Sequence, residues 1–297
     1  MMRFTVIDAP SILGLRPTGV EDLPEALKKA GLIQALAAVY MGRIDSLPYD
    51  AQKDEATLVL NPQSIHDYSL RLAEKVAEAR SQGYFPIVLG GDCSILIGCL
   101  LALRRSGQYG LFFIDGHADF YQPEAEPTGE VASMELAIVS GRGPEILTDI
   151  DGLKPLVQDD NIVAFGYRDF EQQKVDGSQD IRESSIHTFD LGDVRAVGSA
   201  KAAQQGIERL QKNQLDGFWI HLDADVLNDA IMPAVDYRIA DGLNWDELDR
   251  VLKTVMTSGQ AVGITITIFN PRLDADGSIA DQFTQHIATG LTQVRAE

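Results

Sequence analysis

The chain has 297 residues and carries 44 acidic against 25 basic side chains, a net charge of −19. A body this acidic repels phosphate backbones and anionic lipid headgroups, which argues against nucleic acid and membrane surfaces as partners. The longest uninterrupted apolar run, Ile95 to Leu103, is nine residues, against the roughly 20 that a spanning helix requires. The opening MMRFTVIDAP has none of the basic stretch, long apolar region and small-residue cleavage site of a secretory signal, so a cytoplasmic placement is expected. Cys93 and Cys99 are the only cysteines. Six apart at what reads as the start of a helix, they diverge, which rules out a disulfide framework.

Short β-branched or aromatic runs alternate along the chain with longer segments of helical period, the pattern of a parallel sheet covered by helices. In chain order the pattern predicts a strand at Phe4–Ile7, a helix at Ser69–Ser81, a strand at Pro86–Leu89, a helix at Ile95–Arg105, and strands at Leu111–Ile114, Ile162–Phe165 and Ser185–Phe189. There follow a helix at Ala200–Lys212, a strand at Phe218–Leu222, a helix at Trp245–Thr257 and a strand at Val262–Phe269. The fold class is α/β. Turn-rich stretches at Tyr121–Gly129, Asp149–Pro155 and Asp229–Gly242 punctuate the chain, but none is long or biased enough for a linker. A single domain over 1–297 is therefore expected.

Open parallel sheets bind ligands at the carboxyl ends of their strands. Three predicted strands end unusually: FPIVL runs into GGDCS (Gly90–Ser94), LFFI into DGHADF (Asp115–Phe120), and FWIHL into DADVLND (Asp223–Asp229). In an extended segment Asp115, His117 and Asp119 place alternate side chains on one side, and Asp223 and Asp225 repeat the device. Carboxylates this close repel one another and are costly to desolvate unless something cationic sits among them. Neither cluster contains a Lys or Arg, so a divalent metal is the better candidate. Mainly oxygen donors with one imidazole favour a hard or borderline ion such as Mn²⁺. An Asp after a strand is often only a helix cap or turn residue, but two such clusters together with GGDCS argue for a site. His221 shares strand parity with Asp223 and Asp225 one step deeper. It would orient a ligand, relay a proton, or serve as a core histidine bonded to a carboxylate. Glu130, Glu135 and Asp229 read equally as substrate-facing acids or as surface charges, and His66, His187 and His286 have no motif support.

The ordered set GGD-x-S, D-x-H-x-D and D-x-D followed by a Pro-containing loop, over roughly Val88 to Pro271, resembles the ureohydrolase superfamily of arginase, agmatinase and formiminoglutamase. GLNWDEL (Gly242–Leu248) and FNP (Phe269–Pro271) agree with it further. The resemblance implies a three-layer α/β/α sandwich around a mostly parallel sheet of about eight strands. It also implies assembly as a homotrimer or hexamer, and two Mn²⁺ ions bridged by hydroxide that hydrolyse a guanidino or amidino carbon. Carried over by position, Asp115 and Asp223 would bridge both ions, His117 and Asp225 would complete the second, and Asp119 and Cys93 would belong to the first. His221 and Asp119 are the candidate catalytic side chains.

Three positions depart from the family pattern. Cys93 stands where the family most often has histidine, which shifts the first position toward Zn²⁺ or, if the thiol stays neutral, leaves a single ion. Ala132 occupies the place of a proton-shuttling histidine. Ile268 stands where arginase and agmatinase present a Glu to the guanidinium, with Thr265 and Thr267 nearby. The expected substrate is therefore a guanidino or amidino small molecule other than plain arginine or agmatine. Two alternatives stay open: a degenerate homologue that binds a metal or ligand without turnover, and a single-metal, deacetylase-like amidohydrolase.

Overall fold

The computed structural model describes residues 2–292. Eight strands form one sheet: β1 (Phe4–Ala9), β2 (Val39–Arg43), β3 (Phe85–Gly90), β4 (Gly110–Ile114), β5 (Ile162–Phe165), β6 (His187–Phe189), β7 (Phe218–Asp223) and β8 (Ala261–Thr267). Their spatial order is β2-β1-β3-β8-β7-β4-β5-β6, and every neighbouring pair is parallel. Helices cover both faces, which is why the central strands are apolar at nearly every position rather than alternating. On β4, Phe112 and Ile114 enter one core with Ile220 and Leu222 of β7 and helices Ser199–Leu210, Trp245–Thr257 and Ser278–Thr292. Leu111 and Phe113 enter the other, with Trp219 and helices Pro62–Ser81 and Ile95–Arg104.

Helix Trp245–Thr257 shows how local chemistry and packing agree. Asn244 Oδ1 accepts from the Glu247 amide at 2.9 Å, while Glu247 Oε2 accepts from the Asn244 amide at 2.8 Å, closing a capping box. Leu248, Val251, Leu252 and Val255 then line the buried face at helical spacing.

All seven predicted strands are present, with ends shifted by a residue or two. Ser185–Phe189 shortens to His187–Phe189, and Val262–Phe269 ends at Thr267 because Ile268 turns out of the strand at φ 69°. Helix Ser69–Ser81 begins earlier, at Pro62, whose fixed φ and missing N–H suit a first helical turn. The eighth strand, β2, and helix Ser278–Thr292 were not expected from the pattern. No described helix is long and apolar enough to cross a membrane.

The strand order positions the site. β7 and β8, late in the chain, lie between β3 and β4, so the carboxyl ends of four central strands stand side by side. The loop leaving β3 is fixed by close backbone approach: a Cβ on Gly91 would lie 1.9 Å from the Ser11 carbonyl oxygen. Gly91→Ala is expected to cost about 1–3 kcal/mol through overpacking and to lower the thermal midpoint by several degrees. A melt coinciding with wild type would contradict this packing.

Candidate metal centre

The centre is built on the register of three strands. Ile114 of β4 pairs with Leu222 of β7, and on β7 His221 pairs with Thr265 and Asp223 with Thr267 of β8. Side chains alternate across a sheet. Phe113, His221 and Thr265 therefore form one row on a common face, and Asp115, Asp223 and Thr267 form the next row toward the carboxyl edge. Each leading aspartate fastens its own loop with one oxygen: Asp115 Oδ1 accepts from the His117 amide at 2.7 Å, and Asp223 Oδ1 from the Asp225 amide at 2.8 Å. The second oxygen of each is left for other work. Asp119 is reached through a left-handed residue, φ 44°, a conformation Asp tolerates better than most side chains.

All six sequence-predicted ligand residues come together. Asp115, His117 and Asp225 form one set whose donor atoms lie within 4.8 Å of one another; Cys93, Asp115, His221 and Asp223 form a second; and Cys93, Asp115, Asp119 and Glu135 form a third. Asp115 belongs to all three. Asp92 of the GGDCS motif does not join them; it accepts from Ser11 Oγ and the Ser94 amide, both at 2.8 Å, and braces the loop. His66 and His286 pair instead with Asp67 and Asp249. His221 is fully buried, stacked on Phe113 with its Nδ1 2.9 Å from Thr265 Oγ1. It is not among the residues that line the cavity above the centre.

Three side chains change the picture drawn from sequence. Glu135, read there as a surface or substrate-facing acid, is fully buried within the cluster. Arg168, one turn beyond β5, binds the carbonyls of Asp225 at 2.9 Å and Ile239 at 3.1 Å, so a guanidinium does stand beside the second cluster. Asp169 accepts from the Ala118 amide at 2.9 Å and fixes the D-x-H-x-D loop. Arg168 and Asp169 follow a strand end and Glu135 heads the apolar run LAIV, weak signals that carry no spacing to the motif residues.

Electrostatics divide the centre in two. Burial, reinforced by neighbouring carboxylates, pushes Asp115, Asp119 and Asp223 well above the usual carboxylate range. Burial also raises the Cys93 thiol, with Asp223 adding to the effect. Burial alone would raise Asp225 too, but His117, at 2.8 Å, brings it down to about 2, with help from Arg168. Against burial, the Asp225 charge lifts His117 to about 9. Burial lowers His221 to about 3 and keeps it neutral.

A divalent ion fits this donor set. Asp115 Oδ2 and His221 Nε2 are buried with no hydrogen-bond partner, and the Glu135 carboxyl is buried against another acid, Asp119; buried polar groups so placed are costly unless something positive meets them. In chelator, the raised acids hold protons that the unfolded chain has already released. Their stabilising contribution is complete below about pH 4 and is lost as pH rises through the folded values. The metal-free melting midpoint is therefore expected to fall between pH 5 and 8, and added Mn²⁺ to raise it more at pH 8 than at pH 5, because ions compete with those protons. Scanning calorimetry with and without chelator measures both; an Mn²⁺ shift that is equal at the two pH values would contradict this.

Above the centre opens a cavity of about 760 Å³, with His117, Asp119, Asp223 and Asp225 along its floor and Ala132 and Ile268 in its wall. One side is closed by Glu130, which accepts from Arg16 Nε at 2.7 Å and from the Tyr237 hydroxyl at 2.5 Å.

Comparison with known proteins agrees with this architecture. The Arginase family profile matches residues 3–293. The arginase of Staphylococcus aureus (strain MRSA252) is 28% identical over 292 residues, covering 96% of this chain and 95% of that protein. The arginase of Bacillus subtilis (strain 168) is 28% identical over 276 residues, covering 91% of each. Among solved structures, the native arginase of Bacillus caldovelox at pH 5.6 superposes with a TM-score of 0.89 at 26% identity over 99% of both chains. The agmatine ureohydrolase of Thermoplasma volcanium shares the fold, with a TM-score of 0.71 at 18% identity, covering 98% of this chain and 89% of that one. With eight parallel strands between two helical layers and this match over nearly the whole length, the chain belongs to the arginase family.

Proposed function

We propose that this protein, one arginase-like domain over 1–297, is a metal-dependent hydrolase of a linear carbon–nitrogen bond in a guanidino or amidino small molecule other than plain arginine or agmatine. The observation that supports it most directly is the cavity floor: a cavity of about 760 Å³ is floored by buried carboxylates of the D-x-H-x-D and D-x-D motifs. Asp115, His117, Asp119, Asp223 and Asp225 would hold two divalent ions, with His117 and Asp225 serving one, Asp119 the other, and Asp115 and Asp223 within reach of both. When bound, two divalent ions bring the pKa of water near neutrality and offset charge developing at a tetrahedral carbon.

The protein's own residues select and orient. Glu126, Glu130, Glu171 and Asp176 also line the cavity beside Arg168 and Arg238, and the excess of acids over bases draws in a cationic amidine. Glu130 has both oxygens engaged by Arg16 and Tyr237 and acts as a fixed wall rather than a mobile proton carrier. Next to the floor the wall is Ile268 and Ala132, so the reacting carbon meets an apolar surface instead of a pairing carboxylate. His221 and Thr265 lie beneath and hold the Asp115 row in place. Mn²⁺ as the ion and self-assembly into trimers or hexamers are carried over from the family as part of the same proposal.

The loss of polar groups at Ala132 and Ile268 supports a second reading, a homologue that binds without turnover. Urea or ammonia release from a panel of guanidino and amidino compounds, with Mn²⁺ or Zn²⁺ present, separates the two. Metal-dependent release from at least one compound supports the hydrolase. Silence across the panel in protein carrying its ions supports the second reading.

A further inference from the structure

We propose that Glu135 is a ligand of the first ion, and that Cys93 is not a ligand but a hydrogen-bonding side chain that positions Asp223. The inference rests on the two-ion reading and alters its ligand set. Glu135 opens the short helix Glu135–Val139, yet it does not serve as an ordinary helix-start acid. It is 0% exposed, no hydroxyl or cationic side chain reaches either of its oxygens, and the side chain it meets is another acid, Asp119, with which it can share a proton. Its carboxylate faces inward, with a donor atom within 4.8 Å of donors from Cys93, Asp115 and Asp119. A fully buried carboxyl whose side-chain neighbours are the acids Asp115 and Asp119 is an expensive arrangement for a structural residue, and a cation resolves it.

Cys93 is placed differently. Its sulfur lies 2.9 Å from Asp223 Oδ2 and 3.2 Å from Thr267 Oγ1, the geometry of an S–H donating to a carboxylate and fixing its direction. Thr267 Oγ1 stands 3.3 Å from the same Asp223 oxygen, so thiol and hydroxyl together hold Asp223 from below. With Glu135 coordinating, the first position becomes oxygen-rich: Asp115, Asp119, Asp223 and Glu135. Such a set favours a hard ion, Mn²⁺ or Mg²⁺, over Zn²⁺. The residue that gives the first position its extra donor therefore comes from the helix after the second motif, not from the GGDCS loop.

The test uses metal content and Mn²⁺ affinity of the purified full chain, wild type against Glu135→Gln, Glu135→Asp, Cys93→Ser and Asp225→Asn, with the absorption spectrum of the Co²⁺-loaded protein as a second readout. The expected result is two ions in wild type, loss of one ion or at least about 100-fold weaker binding of it in Glu135→Gln, and partial recovery in Glu135→Asp. Cys93→Ser should keep both ions within about tenfold in affinity, and Co²⁺ should show no thiolate charge-transfer band. In chelator, Glu135→Gln should melt at or above wild type, which shows that the variant folds. Retention of both ions at wild-type affinity in Glu135→Gln, or a thiolate–Co²⁺ band that disappears in Cys93→Ser, overturns the proposal. If Asp225→Asn loses an ion while Glu135→Gln does not, this inference fails and the two-ion reading stands. If wild type binds no ion, both fail.

Discussion

Replacing Asp223 by asparagine is expected to lower kcat/KM by at least about 10²–10³-fold, the scale on which losing a single group that stabilises developing charge is felt, and to strip ions from the centre. The same substitution should raise the melting temperature of the metal-free protein at alkaline pH. Asp223 is buried beside Asp115, and burial together with Asp225 and Asp115 holds its carboxyl well above the usual range, so at alkaline pH, where the metal-free carboxyl ionises, an uncharged amide removes a repulsion. Asparagine keeps the carbonyl oxygen that accepts from the Asp225 amide at 2.8 Å, which preserves the turn. Opposite signs for activity and for metal-free stability distinguish a metal ligand from a residue that merely packs. Steady-state turnover on the best substrate and a melt in chelator at alkaline pH supply the two numbers. Loss of both activity and stability would mark Asp223 as a structural residue.

The second large effect concerns specificity. Ile268→Glu places a carboxylate in the cavity wall and is expected to improve kcat/KM for arginine or agmatine by about 10–100-fold, from a charge-assisted hydrogen bond contributing roughly 1.5–3 kcal/mol. The backbone already accommodates the change. Ile268 has φ 69°, a region in which a β-branched side chain is under strain and an unbranched one less so. Its amide donates to the Gly91 carbonyl at 2.9 Å, so the turn is held by the main chain and not by the isoleucine. Kinetics with both guanidino compounds, alongside metal content, measure the gain. Unchanged kinetics in a folded, ion-loaded variant would mean that Ile268 does not face the reacting carbon.

Much of the fold was legible because the central strands are buried on both faces and so appear as short apolar runs ending in turn residues. β3, β4 and β7 were placed to within a residue or so for this reason. β2 was not, because it is an edge strand whose Val39 and Tyr40 are largely exposed, and the run VYMGR lacks an apolar face to betray it. That the six motif residues cluster was legible because each follows a strand end and strand parity puts neighbours on one side. Glu135 was not, since it enters from a helix that packs over the strand ends, and no one-dimensional spacing reports that approach. Arg168 was missed in the same way: its partners, the carbonyls of Asp225, Ile239 and Ala240, lie more than fifty residues away. The assumption that no basic side chain stands near the second cluster was true of the sequence segment and false of the space around it.

Anomalous diffraction at the manganese edge, from crystals grown with excess Mn²⁺, tests the central claim most directly. Two peaks about 3.5–4 Å apart, flanking Asp115 and Asp223 with His117 and Asp225 on one side and Asp119 on the other, are the predicted result. No peak among these side chains, with their carboxylates turned away from one another, would contradict it.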